Sequence, residues 1–86
     1  MPYISMFFGI IIRMFYNEHN PPHFHAEYQG TEGEFDFDGV MLKGNMKSKI
    51  ARNLIRKWAK IHKKELRGNW TNISNKKPLN KIEPLD

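Results

Sequence analysis

Cysteine is absent from the 86 residues of this sequence. Its absence excludes a disulfide framework and any zinc site built from thiolates, and it is typical of proteins that fold in a reducing compartment. The chain also lacks a long apolar segment. The apolar run 3–16 is shorter than the roughly 20 residues that a membrane helix needs, and no basic region precedes it as in a signal peptide. We therefore expect a cytoplasmic protein with no membrane association.

Several motifs of common enzymes are also missing. The sequence has no glycine-rich phosphate loop, no dinucleotide fingerprint and no Ser–His–Asp order of a hydrolase. No internal repeat or linker divides it, which predicts a single domain over residues 1–86. The hydrophobic share of 40% and the aromatic share of 13% are enough for a folded core, although a chain of this length buries only about 60% of its unfolded surface.

Basic residues are scarce in the first half of the chain and abundant in the second. Residues 1–42 hold one basic residue, Arg13, and six acidic residues, a net charge of −5. Residues 43–86 hold 13 basic and three acidic residues, a net charge of +10. Such segregation favours a polyanionic partner, an acidic protein partner, or both.

Alternating apolar positions predict strands in the first half. Every even position of the segment 3–16 is apolar, which predicts one long central strand with its even face toward the core. Two shorter strands, 23–28 and 31–38, are predicted to form a hairpin through a turn at Gln29-Gly30, and a short strand at 40–43 follows the turn signal Asp38-Gly39.

The second half is dominated by one amphipathic pattern. Residues 47–67 place apolar side chains, Trp58 among them, on one half of a helix circumference, and the other half is almost wholly basic. A short helical segment is predicted around Trp70, and an extended tail follows it. The expected fold class is α+β: a small antiparallel sheet of three to four strands, with the long basic helix and the short C-terminal helical segment packed on one face.

Three histidines form the candidate chemical centre. His23 and His25 are two residues apart on a predicted strand, so both imidazoles project from the same side, and His19 precedes the Pro-Pro turn. The hairpin register places His25 opposite Glu34 and His23 opposite Asp36. These four side chains could bind a divalent metal such as zinc, iron or manganese. Without a metal, the three histidines could act as acids and bases, or they could pair with carboxylates on a solvated sheet face. No other cofactor is expected.

The basic face of the helix is the candidate nucleic-acid surface. Its cations could follow a phosphate backbone and bind it with a strong salt dependence. Docking of an acidic protein and simple solvation of the helix are the other interpretations. The residues that we expect to contact phosphates are Lys49, Arg52, Arg56, Lys60, Lys63 and Lys64.

Three stretches of the sequence, 1–10, 20–26 and 81–85, together resemble the bacterial domain-of-unknown-function family number 4160. Its members are small proteins often encoded beside a second small gene in toxin–antitoxin-like pairs. The central stretch, Asn20-Pro-Pro-His-Phe-His-Ala26, contains two of the three candidate histidines. The resemblance implies a toxin-type role and a neutralising partner protein encoded nearby.

The sequence therefore leads to one function and two alternatives. The expected function is that of a toxin-like component of a type II toxin–antitoxin module, acting on RNA with a ribonuclease-like activity of its histidines. The alternatives are a non-catalytic binding or antitoxin-type module of such a pair, and a small metal-dependent hydrolase. RNA and an antitoxin-like protein are the expected partners, and the protein could also form an oligomer.

Overall fold

The strands of the protein form one antiparallel sheet in chain order, and two helices follow them. The computed structural model describes residues 3–86; Met1 and Pro2, part of the N-terminal stretch that resembles the family, lie outside the described residues. The elements are β1 (Ser5–Phe7), β2 (Ile10–Arg13), β3 (Phe24–Tyr28), β4 (Thr31–Phe35), β5 (Met41–Gly44), α1 (Lys49–Ile61) and α2 (Lys63–Ser74). The predicted α+β class with an antiparallel sheet is confirmed, whereas the predicted number of three to four strands is wrong, since residues 3–86 form five.

The additional strand arises because the first apolar segment is a hairpin instead of one long strand. Phe8 and Gly9 form a two-residue turn with φ angles of 49° and 79°, and Phe7 pairs with Ile10 across it. A two-residue turn shifts the alternation by one, so Phe7 is buried while Met6 and Phe8 are exposed. Within the strands, β2 therefore has the predicted even inward face, whereas β1 buries its odd positions, Ser5 and Phe7. Glycine was the only sign of this turn, because an aromatic residue rarely adopts a positive φ.

The hairpin of β3 and β4 has the predicted register. Gln29 and Gly30 turn the chain with φ angles of 47° and 77°, and the pairing joins Phe24 with Phe35 and His25 with Glu34. The pairing ends there, so Asp36 has no partner in β3. Its carboxylate instead accepts hydrogen bonds from the backbone N–H groups of Asp38 and Val40, each at 2.9 Å, and closes the turn toward β5.

The helical region is divided at His62. α1 begins after Ser48, whose hydroxyl accepts a hydrogen bond from the backbone N–H of Ala51 at 3.1 Å, a typical N-cap. His62 leaves helical geometry with φ −110° and ψ 22°, and α2 then continues through Gly68. The sequence pattern predicted one helix to residue 67 because neither proline nor glycine marks the position of the break.

The core lies between the sheet and the helices. Trp58 of α1 is fully buried, and its ring lies 5.4 Å from that of Phe7 and 5.5 Å from that of Phe24. α1 also passes directly over the turn before β5, where a side chain at Gly39 would collide with the backbone of Arg56. The helices thus cover one face of the sheet. In residues 3–86, no helix combines the length and apolar character needed to cross a membrane.

Hydrogen bonds at three residues, Asn80, Ile82 and Glu83, hold the extended C-terminal tail. The side chain of Asn69 exchanges two hydrogen bonds of 2.9 Å with the backbone of Asn80. The indole N–H of Trp58 donates to the carbonyl oxygen of Glu83 at 2.9 Å. The N–H of Ile82 donates to the carbonyl oxygen of Ile4 at 2.8 Å, so the tail joins the helices to the outer strand of the sheet.

Candidate functional site

Two histidines and a glutamate come together where the loop after β2 enters β3. Each of Glu18, His23 and His25 offers one ligand atom, and these atoms lie within 4.8 Å of one another. We call these three residues the imidazole–carboxylate cluster. The loop bends at Asn20 and Pro21, and Glu18 contacts both histidines. The Asn20–Pro21 peptide bond is cis.

His23 is the buried member of the cluster, with 6% of its surface exposed. Its Nδ1 lies 2.8 Å from the carbonyl oxygen of Pro21. Because a carbonyl can only accept, Nδ1 must carry a hydrogen. The other ring nitrogen, Nε2, lies 3.3 Å from Glu18 Oε2 and 3.6 Å from Glu34 Oε1. Trp70 of α2 covers the ring at 5.5 Å between centroids.

His25 is the more accessible imidazole. Its Nε2 is paired with Oε1 of Glu18, so the two oxygens of one carboxylate serve the two histidines. The ring of Phe15 meets His25 edge-on, with 4.7 Å between centroids. Arg13 is the direct partner of His25 across β2 and β3, and its guanidinium lies 3.4 Å from Glu27.

A small cavity of about 160 Å³ opens beside His25 on the sheet face that the helices do not cover. The residues that line it include a cation, an aromatic ring and an imidazole. They are Ile11, Arg13, Phe15, His25, Ala26, Glu27 and Glu32. A group that entered this cavity would meet Arg13 and His25, together with the carboxylates of Glu27, which is paired with Arg13, and Glu32.

The family model described as a domain of unknown function, DUF4160, matches residues 9–71. The chain belongs to the DUF4160 family. The matched region contains the imidazole–carboxylate cluster, β2 to β5 and α1. Comparison with curated proteins and with solved structures gives no match.

The structure separates the predicted candidate residues into those within the cluster and those outside it. His23 and His25 lie within it, and Glu34 approaches His23. His19 is exposed and lies outside the cluster. Asp36, predicted to face His23, is instead engaged by the backbone of the turn before β5.

Glu18 was not among the site residues predicted from the sequence. An acidic residue in an irregular loop has no periodicity that assigns it to a face, so its position depends on the path of that loop. The usable signal was the rigid proline pair between Glu18 and His23, because two prolines restrict how the loop can return to the strand.

The predicted phosphate-binding residues lie on the helical side of the molecule. Lys49, Arg52 and Arg56 line a groove of about 340 Å³ together with Val40 and Met41. Lys60 and Lys64 are exposed further along the helices. The helices cover the core face of the sheet, so this basic surface and the cavity beside His25 face different sides. The cation next to the cluster is Arg13.

Lys63 already has a partner within the protein. Its Nζ donates to Asp38 Oδ1 at 2.7 Å. This hydrogen bond and the charge of Lys63 hold the pKa of Asp38 below its ordinary value. Both side chains are exposed, so the pair contributes little to the free energy of folding.

Proposed function

We propose that this DUF4160 protein is the toxin-like component of a bacterial two-gene module, that it acts on RNA in the cytoplasm, and that a partner protein neutralises it. The observation that carries the proposal is the imidazole–carboxylate cluster beside a solvent-accessible cavity. His25 and Arg13 combine a group that accepts protons with a cation on adjacent strands. The positive charge of residues 43–86 supports a polyanionic substrate, and the family resemblance supports a partner protein.

The chemistry of RNA cleavage requires little more than these groups. The 2′-hydroxyl loses a proton to a base and its oxygen attacks the phosphorus, while the bond from phosphorus to the 5′-oxygen breaks and that oxygen takes a proton from solvent. In this proposal the cluster at His25 accepts the first proton. Arg13 neutralises the phosphate, and the carboxylate of Glu18 orients the imidazole, as carboxylates do for catalytic histidines.

The basic groove between α1 and β5 binds the flanking RNA or the neutralising partner. Lys49, Arg52 and Arg56 present three cations around one concave surface, and Val40 adds an exposed apolar side chain. An acidic partner segment would compete with RNA for this surface. Competition of this kind weakens as salt increases, because it depends on charge neutralisation.

A non-catalytic binding module, of the antitoxin type, is the second candidate. It is favoured by the internal pairing of the cluster, since both imidazoles already meet Glu18. In this case the cluster would fix the loop after β2, and the protein would act through its surfaces alone.

The test compares the growth of a bacterial host after induction of the wild type and of His25→Gln. We expect growth arrest and RNA cleavage by the wild type. The variant should lose about 10²- to 10⁴-fold of the cleavage rate. His62→Gln is the matched control, because it removes an imidazole that lies outside the cluster.

Circular dichroism must show that both variants are folded. Intact RNA and normal growth with the folded wild type would contradict the proposal and favour the binding module. Growth arrest by the wild type and His25→Gln alike would place the toxic activity outside the cluster.

A further inference from the structure

Among residues 3–86, the ring nitrogen Nε2 of His23 is a buried side-chain atom without a hydrogen-bond partner, as are Ser5 Oγ and Arg52 Nε. Nδ1 donates its hydrogen to Pro21, so a neutral ring directs the lone pair of Nε2 into the cluster. Nε2 is buried and lacks a hydrogen-bond partner among the described residues. The oxygens that face it, from Glu18 and Glu34, are acceptors as well. Groups that can only accept repel one another unless a cation lies between them.

We propose that Glu18, His23 and His25 bind one divalent transition-metal ion, with Glu34 as a further ligand. Two imidazole nitrogens and a carboxylate oxygen, without thiolates, form a ligand set that suits zinc, iron(II) or manganese and disfavours calcium and magnesium. The proposal concerns metal binding and stands without the proposed activity on RNA.

The ligand atoms of the cluster could bind one shared ion if the distances between them shortened modestly. Bonds of about 2.0–2.2 Å place neighbouring ligand atoms of a tetrahedral site about 3.4 Å apart. His23 Nε2 and Glu18 Oε2 are already 3.3 Å apart, and the three ligand atoms span no more than 4.8 Å. Small side-chain rotations of Glu18 and the half-buried His25 would close this difference.

The residues around the cluster preorganise its side chains for metal binding. The carbonyl oxygen of Pro21 fixes the His23 ring in the form whose Nε2 is free to coordinate, which is the usual second contact of a metal-binding histidine. Trp70 covers the same ring and excludes water from that side. His25 lies toward the cavity, so water could take the fourth position of a tetrahedral site formed by Glu18, His23 and His25, or a fifth position if Glu34 also coordinates.

This site refines the ligand set expected from the sequence. Glu18 takes the place of Asp36, whose carboxylate closes a turn. The consequence for RNA rests on the proposed function. A bound ion of this kind would lower the pKa of its water to near 7, and the hydroxide left when that water loses a proton could accept the proton that the cluster is proposed to take.

The experiment uses the full chain and zinc as the probe. The purified protein is freed of metal with a chelator and titrated with ZnCl₂ by calorimetry, and bound zinc is counted by atomic emission after gel filtration. We expect about one equivalent of zinc and a higher melting temperature with zinc. His25→Gln and Glu18→Gln should each weaken binding by about 100-fold or more. Nitrogen NMR of His23 should show hydrogen on Nδ1 and a shift of Nε2 on zinc addition.

His62→Gln and His19→Gln are the matched controls, because each removes an imidazole that lies outside the cluster. Both should bind zinc as the wild type does. Wild-type protein that retains no zinc, or His25→Gln and Glu18→Gln that bind it unchanged, would overturn the proposal. So would a His23 ring that carries hydrogen on both nitrogens and does not respond to zinc. Zinc binding with intact RNA would leave the metal site in place and contradict only the proposed function.

Discussion

The same strands form the hydrophobic core with one face of the sheet and carry the candidate site on the other. Toward the helices, Ile10, Ile12, Phe24 and Phe35 are all 0% exposed and form the centre of the core. One residue further along each strand, the side chains point to the other face, which carries His25 and its carboxylate neighbours. The candidate site therefore lies directly over the most tightly packed part of the protein, and the strand that positions His25 is fixed by the core residues on either side of it.

Substitution of two adjacent isoleucines is the strongest test of this comparison. Ile12→Ala removes a fully buried side chain from the core and should lower the free energy of unfolding by about 2–5 kcal/mol. Ile11→Ala, on the open face of the same strand, should cost about 1 kcal/mol, since its side chain is only half-buried. Urea unfolding of both variants measures the difference. An equal decrease in the free energy of unfolding of both variants would show that the two faces of the sheet are equally well packed.

The contacts of the tail provide the second test, because they hold the helical layer on the core face. Asn69→Ala removes a buried side chain that bonds both backbone groups of Asn80. We expect a loss of about 1–3 kcal/mol, the cost of leaving buried polar groups without partners. Asn53→Ala, at an exposed position of α1, is the control and should change stability by less than about 0.5 kcal/mol. A neutral Asn69→Ala would mean that the tail is not part of the cooperative fold.

The turn at Phe8 provides a third test with the opposite sign. Phe8 has a positive φ and is 58% exposed. Its backbone is therefore strained, and burial of its ring contributes little to stability. Phe8→Asn should raise stability by about 1 kcal/mol, since asparagine tolerates this region. Gln29→Asn, at the equivalent position of the β3–β4 turn, should raise stability by at least as much, because it relieves a similar positive φ of 47° and removes no partly buried ring. Thermal unfolding of both variants measures the two changes, and a loss of stability in both would show that the positive φ is not strained.

The smallest effect is expected at the pair of Asp38 and Lys63. Lys63 lowers the pKa of Asp38 in the folded protein, so the pair stabilises the fold above the ordinary carboxyl pKa of about 4 and loses this effect as the pH falls through the folded value. Carbon NMR should find the Asp38 midpoint below its ordinary value, and Lys63→Met should move it upward. An unchanged midpoint in Lys63→Met would show that the hydrogen bond is not formed in solution.

The comparison of the two faces also explains what the sequence could predict. The register of β3 and β4, including the opposition of His25 and Glu34, follows from alternation and a turn at Gly30. The turn at Phe8 was missed because an aromatic residue rarely adopts the positive φ that the first position of this turn requires. The break at His62 was missed because neither proline nor glycine marks it. Glu18 could not be assigned, since a loop position depends on the whole chain path instead of a repeating pattern.

The three points that hold the tail have a consequence for the order of folding. The bond between Ile82 and Ile4 joins residues near opposite ends of the chain, and such contacts close the longest loops at the greatest entropic cost. We expect the hairpins and α1 to be structured in the transition state before the tail docks, with φ-values near zero for tail contacts. Substitutions that loosen the tail should then accelerate unfolding and leave the refolding rate nearly unchanged.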